Sequence, residues 1–306
     1  MNNLIKSCSV AALTCFALAL SCSPAPVSEQ PAADALLWKV SKGSSTSYLF
    51  GTMHVADPRV TTLKPVVEDA FGSSDAVFSE LKESALEMGV KAAEHGMLPA
   101  GTKLYDIIPA DMYSKLSDFV VSNKMSMQMI DGLRPWMVSM QLSLIDAMKY
   151  MKGVVLDMQL TIRANKEGKV VGGVETIEDQ FAALAFGTDE EQILLLGFAL
   201  DKMIKHASDE KTQIDIMLEH YLIGDIDALW EMAESELKNA SELELAAFDA
   251  LLAKRNVNMA QHIHQRFGAH PDSITFYAFG ALHFAGPQSV NQLLKNMGYS
   301  VERVVK

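Results

Sequence analysis

Residues 47–80 read SYLFGTMHVADPRVTTLKPVVEDAFGSSDAVFSE, and their pattern decides the fold class. A β-rich apolar run ends at Gly51. The stretch LKPVVEDAFG then spaces Val66, Val67, Ala70 and Phe71 at helical intervals and stops at Gly72. DAVFSE is a second short apolar run, closing on Glu80. Strand, helix, strand is the order of a crossover unit, which predicts two parallel strands as neighbours in one sheet. Their carboxy-terminal ends then share an edge, and in an open α/β sheet that edge is where ligands bind. His54 and Glu80 both follow a strand end on it.

Working outward, LLWKVSKGSSTSYLFGT upstream reads as a hairpin around a Lys-Gly-Ser-Ser turn. From about 84 to 165 the pattern is helical, with Pro109 and Pro135 placed for first turns and VVLDMQLTIRANKEGK ending before Gly168. KVVGGVE is a further strand that leads to Glu175. A second helical insertion, about 185–265, contains capping boxes at Thr188/Glu191 and Ser241/Glu244. SITFYAFGALH is a strand leading to His283, followed by a helix, SVNQLLKNMG, and a closing strand, YSVERVV. No 20–50-residue repeat occurs. The expected fold is α/β, α+β-like in its segregation: one domain over 36–306, with a mixed central sheet built from both chain ends and two helical insertions.

The chain has 306 residues, 49% hydrophobic and 21% charged, which is ample for a core. Its 26 basic and 38 acidic residues give a net charge of −12, and no Lys/Arg cluster occurs. Nucleic acid is therefore excluded as a partner, because counterion release needs positive charge. At the amino terminus MNNLIK precedes an apolar run, SVAALTCFALALS, too short to span a bilayer. The run ends in ALSC, which resembles a bacterial lipobox: residues 1–21 as a lipoprotein signal peptide and Cys22 as the lipidated residue. The other two of the 3 cysteines, Cys8 and Cys15, leave with the signal, so no disulfide and no Cys-ligated metal is expected. Residues 22–35, rich in Pro, Ala and Ser, read as a flexible tether. Ser23 resembles an outer-membrane sorting signal. The expected location is periplasmic, secreted across the inner membrane and anchored in the outer membrane by the lipid.

Four predicted strands lead to polar groups: His54, Glu80, Glu175 and His283. His54 and His283 each stand three residues after a glycine, Gly51 and Gly280. With 18 glycines and 8 histidines, about half a Gly-x-x-His is expected by chance, so the shared strand context is what raises the pair above background. The two glycines are expected to let the backbone turn tightly, returning the next loop to the crevice. Imidazoles and a carboxylate can hold a divalent ion with a position open for water, and a second carboxylate can act as base or orient a ligand. Either carboxylate could instead cap a following helix. His262 and His264 are two apart in a helix and face different directions, and His95, His206, His220 and His270 lack an acidic or histidine partner at ligand spacing. Arg255 and Asn256, after LLAK, read as a helix end or a reach into the site. The 18 methionines sit at core spacing. No nucleophile elbow, phosphate loop or His-Glu-x-x-His helix is present.

LWKV…SYLFGTMH, AVFSEL, LRPWMVSMQL, GKVVGGVETIEDQ, LLAKRN and FYAFGALHFAGPQSV…LLKNMGYSVERV together resemble the TraB/GumN family, which includes the Tiki proteins, in family order from about Leu36 to Lys306. Gln288 and Ser289 depart from the glycine more usual near that position. The resemblance implies a fold related to the erythromycin-esterase and ChaN-like proteins. It also implies metal-dependent proteolysis, with His54, Glu80 and His283 at the metal and Glu80, Glu175, Arg255 and Asn256 as catalytic or supporting residues. Manganese or cobalt follows from the Tiki likeness, and ligand type equally permits zinc. The expected activity is that of a lipid-anchored peptidase acting on a peptide or protein of the envelope. The alternative is a non-catalytic envelope lipoprotein that binds a metal complex or small ligand in the same crevice.

Overall fold

Six strands form one sheet in the computed structural model, which describes residues 35–305 of the chain. They are β1 (Leu37–Lys42), β2 (Ser45–Thr52), β3 (Ala76–Ser79), β4 (Val170–Gly173), β5 (Thr275–Gly280) and β6 (Ser300–Arg303), in the order β4-β3-β5-β2-β1-β6. The hairpin of β1 and β2 turns at Gly43, whose φ of 60° is the left-handed conformation that glycine adopts without steric cost. β4, β3, β5 and β2 are mutually parallel, and β1 is antiparallel to both of its neighbours. This is the expected mixed α/β sheet with helical insertions. The signal peptide, Cys22 and most of the tether lie outside the described residues.

One expectation is corrected. β2 and β3 are parallel but not adjacent, because β5 lies between them and pairs with both. A crossover through helix Pro65–Gly72 fixes direction and hand, yet leaves room for an intervening strand. β5 is suited to that central slot. Five of its six residues are buried, and alternate side chains enter opposite cores. Tyr277 and Phe279 pack with Trp38, Leu49, Met259, Ile263 and Leu294 on one face. Phe276 and Ala278 pack with Phe50, Val67, Phe71, Leu156 and Leu218 on the other.

The described chain divides into two compact units. One contains residues 83–148 and 177–212 and is helical; there Ala110–Ser122, Pro135–Ser143 and Asp189–His206 bury Leu116, Val138, Leu196 and Leu200. The other contains residues 35–82, 149–176 and 213–305, and it holds the sheet. Helix Leu156–Lys166 and the helices from Gln213 to Ala269, which the sequence placed in the insertions, belong to this sheet unit. Both expected capping boxes form, Thr188 with Glu191 and Ser241 with Glu244.

Phe276 is fully buried, with Phe50 and Phe71 rings 5.6 Å and 5.5 Å from its own. Phe276→Ala should destabilise the protein by about 3–5 kcal/mol, measured as a lower urea midpoint.

Candidate functional site

β2, β5, β3 and β4 end on one edge, with Thr52 opposite Gly280, Ser79 opposite Ala278, and Ser79 opposite Gly173. The residues that leave these four ends are His54, His283, Glu80 and Glu175, all within the sheet unit. The backbone past β4 then folds against the exit of β3. Val174 N–H donates to the carbonyls of Ser79 and Glu80, and Glu175 N–H donates to Glu80 O at 3.0 Å. A side chain at Gly173 would strike Lys82 N at 2.8 Å, so glycine permits this approach. Glu80 and Glu175 are thereby set side by side.

Arg255 joins them. Its Nη2 donates to Glu80 Oε2 and to Glu175 Oε2, both at 2.7 Å, and its Nε donates to Glu175 Oε1 at 3.0 Å. All three side chains are largely buried, so the guanidinium fork answers charges that water does not reach. Asn256, the next residue on helix Ala253–Ala269, takes a different partner. Its Nδ2 donates to Gln288 O at 2.9 Å, which turns Oδ1 toward His283. His283 Nδ1 therefore donates to Asn256 Oδ1, at 2.6 Å, and Nε2 is left as the ring's electron pair.

His54 is held in the same way by a residue the sequence reading passed over. Asp157, in the first turn of helix Leu156–Lys166, accepts from His54 Nδ1 at 2.8 Å and from Thr52 Oγ1 at 2.5 Å. Tyr221 OH donates to Gly51 O at 2.9 Å beneath this pair. Burial, with the Asp157 carboxylate, pushes the Tyr221 hydroxyl upward, so it remains a donor. In the sequence Asp157 looks like an ordinary acidic residue at a helix start, favourable to the helix dipole. No spacing ties it to His54.

The converging atoms surround Gly280. A Cβ added there would meet Glu80 Oε1 at 3.3 Å, His54 Nε2 at 3.6 Å and His283 Cδ2 at 3.7 Å. Neither Gly51 nor Gly280 adopts positive φ, which corrects the expected reason for them. Gly280 keeps the space between the three donors open, and Gly51 admits Leu36 and Ala281 at close contact.

Glu80 Oε1 accepts from Gly280 N–H at 2.7 Å and lies 3.7 Å from His283 Nε2. Burial works to raise the Glu80 carboxyl. The imidazoles of His283 and His54, the Arg255 guanidinium and the Gly280 amide outweigh it and bring it down to about 2. Burial likewise dominates at His283, lowering it to about 4 against the pull of Glu80, so this imidazole is neutral at pH 7. The burden of holding Glu80 ionised then falls on Arg255 and His54. The Asp157 carboxylate raises His54 well above the ordinary imidazole value, while water around its 63% exposed side chain screens the pair.

Among the described residues, no group of three or more His, Cys, Asp or Glu side chains is placed closely enough to hold a metal ion. His54, Glu80 and His283 are a convergent set of donors at wider spacing. In kind they fit a divalent cation that displaces the His54 Nε2 proton: two imidazoles with Nδ1 engaged by a side-chain oxygen, plus one ionised oxygen. The other histidines do not join them. His262 packs against the Phe78 ring and His264 Nδ1 meets Tyr299 OH at 2.8 Å. His206 does have an acidic partner, contrary to the sequence reading: Asp209, three residues on, at 2.7 Å.

A profile of the TraB/PrgY/gumN family matches residues 36–303. Relatives include a "Metalloprotease TIKI homolog" from Nematostella vectensis, 26% identical over 89% of this chain and 67% of its own length. "Metalloprotease TIKI2" from Xenopus tropicalis is 30% identical over 88% of this chain and 60% of its own, and "Metalloprotease TIKI1" from Homo sapiens 28% over 90% and 63%. The chain thus spans roughly two thirds or less of the length of these relatives. No solved structure matches it.

Because Glu80 is held near 2 in the folded state against an ordinary 4.5, its ionisation stabilises the fold above pH 4.5. That contribution is lost as pH falls from there toward 2. Arg255→Met should cost about 3–5 kcal/mol at pH 7, since it removes the cation shared by two buried carboxylates. The gap from wild type should narrow as Glu80 protonates, read from urea unfolding between pH 7 and pH 3.

Proposed function

The chain belongs to the TraB/PrgY/gumN family, and on that premise we propose that it is a metal-dependent hydrolase, a peptidase, centred on His54, Glu80 and His283. The observation that carries this reading is the paired locking of the two imidazoles. Each donates Nδ1–H to a side-chain oxygen, of Asp157 or Asn256, which leaves His54 Nε2 beside Gly280 and His283 Nε2 facing Glu80 Oε1 at 3.7 Å. Relatives named metalloproteases support the metal.

Charge supports it as well. Arg255 answers one of the two carboxylates it joins, and Asp157 adds another, so the centre carries surplus negative charge before His54 is counted. The field that draws a proton onto His54 draws a cation to the same place. Bound there, a divalent ion such as manganese, cobalt or zinc supplies Lewis-acid polarisation of a carbonyl and lowers the proton affinity of water. His54, His283 and Glu80 would hold it.

The two glutamates divide their work by environment. Glu80, with Oε2 on Arg255 and Oε1 facing His283, is assigned as ligand rather than base. Glu175, buried with both oxygens on Arg255, positions the guanidinium and through it Glu80. Arg255 and Asn256 are positioning residues in the same sense. The Arg255 guanidinium, which engages both Glu80 and Glu175, favours one second reading, a lipoprotein that binds a metal complex or small ligand without turnover. It predicts metal uptake with no peptide cleavage.

Full chain loaded with manganese, cobalt or zinc should retain about one ion per chain. His54→Ala and His283→Ala should each abolish retention and peptide cleavage without changing the unfolding midpoint. Asp157→Ala should weaken metal affinity by about 10–100-fold. Retention unchanged in both histidine variants would remove the metal centre, and retention without cleavage of any library peptide would select the binding reading.

For location, we propose a periplasmic lipoprotein tethered to the outer membrane through Cys22. Among the described residues no helix is long and apolar enough to cross a membrane. Cells supplied with labelled palmitate should label the chain, and Cys22→Ser should abolish the label.

A further inference from the structure

A cavity of about 200 Å³ opens beside the loop that follows His283. Its walls are mainly apolar: Trp230, Leu245, Phe248, Leu252 and Pro287. The Trp230 and Phe248 rings lie 6.4 Å apart, and Leu252 closes the buried side. Leu245, 45% exposed, stands at the solvent side. The wall is tied to the centre in two ways. A Cβ on Gly286 would fall 2.5 Å from the Trp230 ring, so the His283 loop lies directly on the indole, in a φ of +75° suited to glycine. Asn256 lines the cavity and also holds His283 through Oδ1.

The polar members of the lining are Asp249, Asn256 and Gln288. The Asn256 carboxamide is already bonded at both ends, to His283 and to Gln288 O. Asp249, the charged group of the lining, has Lys254 at 3.5 Å. In size, an engineered apolar cavity of about 150 Å³ accepts benzene. The space here is larger, open on one side, and floored by two aromatic rings.

We propose that this cavity receives an aromatic or branched apolar side chain of a peptide whose backbone crosses the strand-end centre. The inference rests on the peptidase reading and deepens it, assigning the substrate class as peptides with an apolar residue next to the bond that is cut. The occupant's backbone would lie along the His283 loop, because that loop forms one wall of the cavity and carries a residue of the centre.

The test is calorimetric titration of the metal-free full chain with two blocked nonapeptides of alanine and glycine, identical except for a central Phe or Ser. The Phe peptide should bind about tenfold tighter or better, the effect of burying one aromatic side chain. Leu245→Glu, at an exposed position that leaves the fold alone, and Phe248→Ser should each bring the two peptides to equal affinity. Equal affinity in wild type, a preference that survives both variants, or no binding of either peptide overturns the proposal. The two readings separate on metal loading. A preference lost in the variants, with no cleavage of the Phe peptide, keeps the cavity and overturns the peptidase. Cleavage of both peptides at equal kcat/KM does the reverse.

Discussion

The parallel pairing of β2 with β5 is the constraint on which the rest of the site depends. Thr52 lies opposite Gly280, so two loops from distant parts of the chain leave the sheet side by side, each carrying a histidine. Ser47 Oγ accepts from Thr275 N–H at the start of this pairing and helps fix its register. A slip of one residue would reverse every side chain of β5, exchanging the cores that Phe276 and Tyr277 enter. The burial of these aromatic rings therefore specifies the register, and the register places His54 and His283. Loop-closure cost rises slowly with length, which lets a large helical unit stand between the two strands.

The second organising element is the pair Arg255-Asn256. Neighbours on a helix point about 100° apart, so one turn of backbone serves two purposes. Arg255 reaches the carboxylates beyond β3 and β4, and Asn256 reaches the imidazole beyond β5. A buried charge cluster of this kind is costly to desolvate and contributes little net stability. Its effect is geometric: Glu80 is held by Arg255 on one oxygen and by Gly280 N–H on the other. The carboxylate thus has one orientation, facing His283.

Much of the site was legible because strand ends are local events. An apolar run closed by small or polar residues marks His54, Glu80, Glu175 and His283 without reference to the rest of the chain. Asp157 was not legible, since an acidic residue in a first turn has an adequate local explanation, and its contact with His54 spans 103 positions. Tyr221 was hidden likewise, in a helix where it packs with Ile214, Met217, Leu218 and Leu222 against the core. Gly280 was noticed for the wrong reason. Its φ is ordinary, and a Cβ there would instead sit among three side chains that follow three strands, at 3.3–3.7 Å.

By itself the sequence determined the strands and helices, their direction, the polar groups at each strand end and the kind of chemistry those groups allow. Period-two and helical apolar spacing, turn residues and caps act over a few positions, and that is why they can be read in one dimension. Only the tertiary structure decided that β5 enters between β2 and β3, which imidazole nitrogen each partner leaves available, and that one guanidinium joins two glutamates. Those outcomes depend on the packing of aromatic faces and on hydrogen bonds between residues far apart in the chain, for which no local spacing stands as a sign.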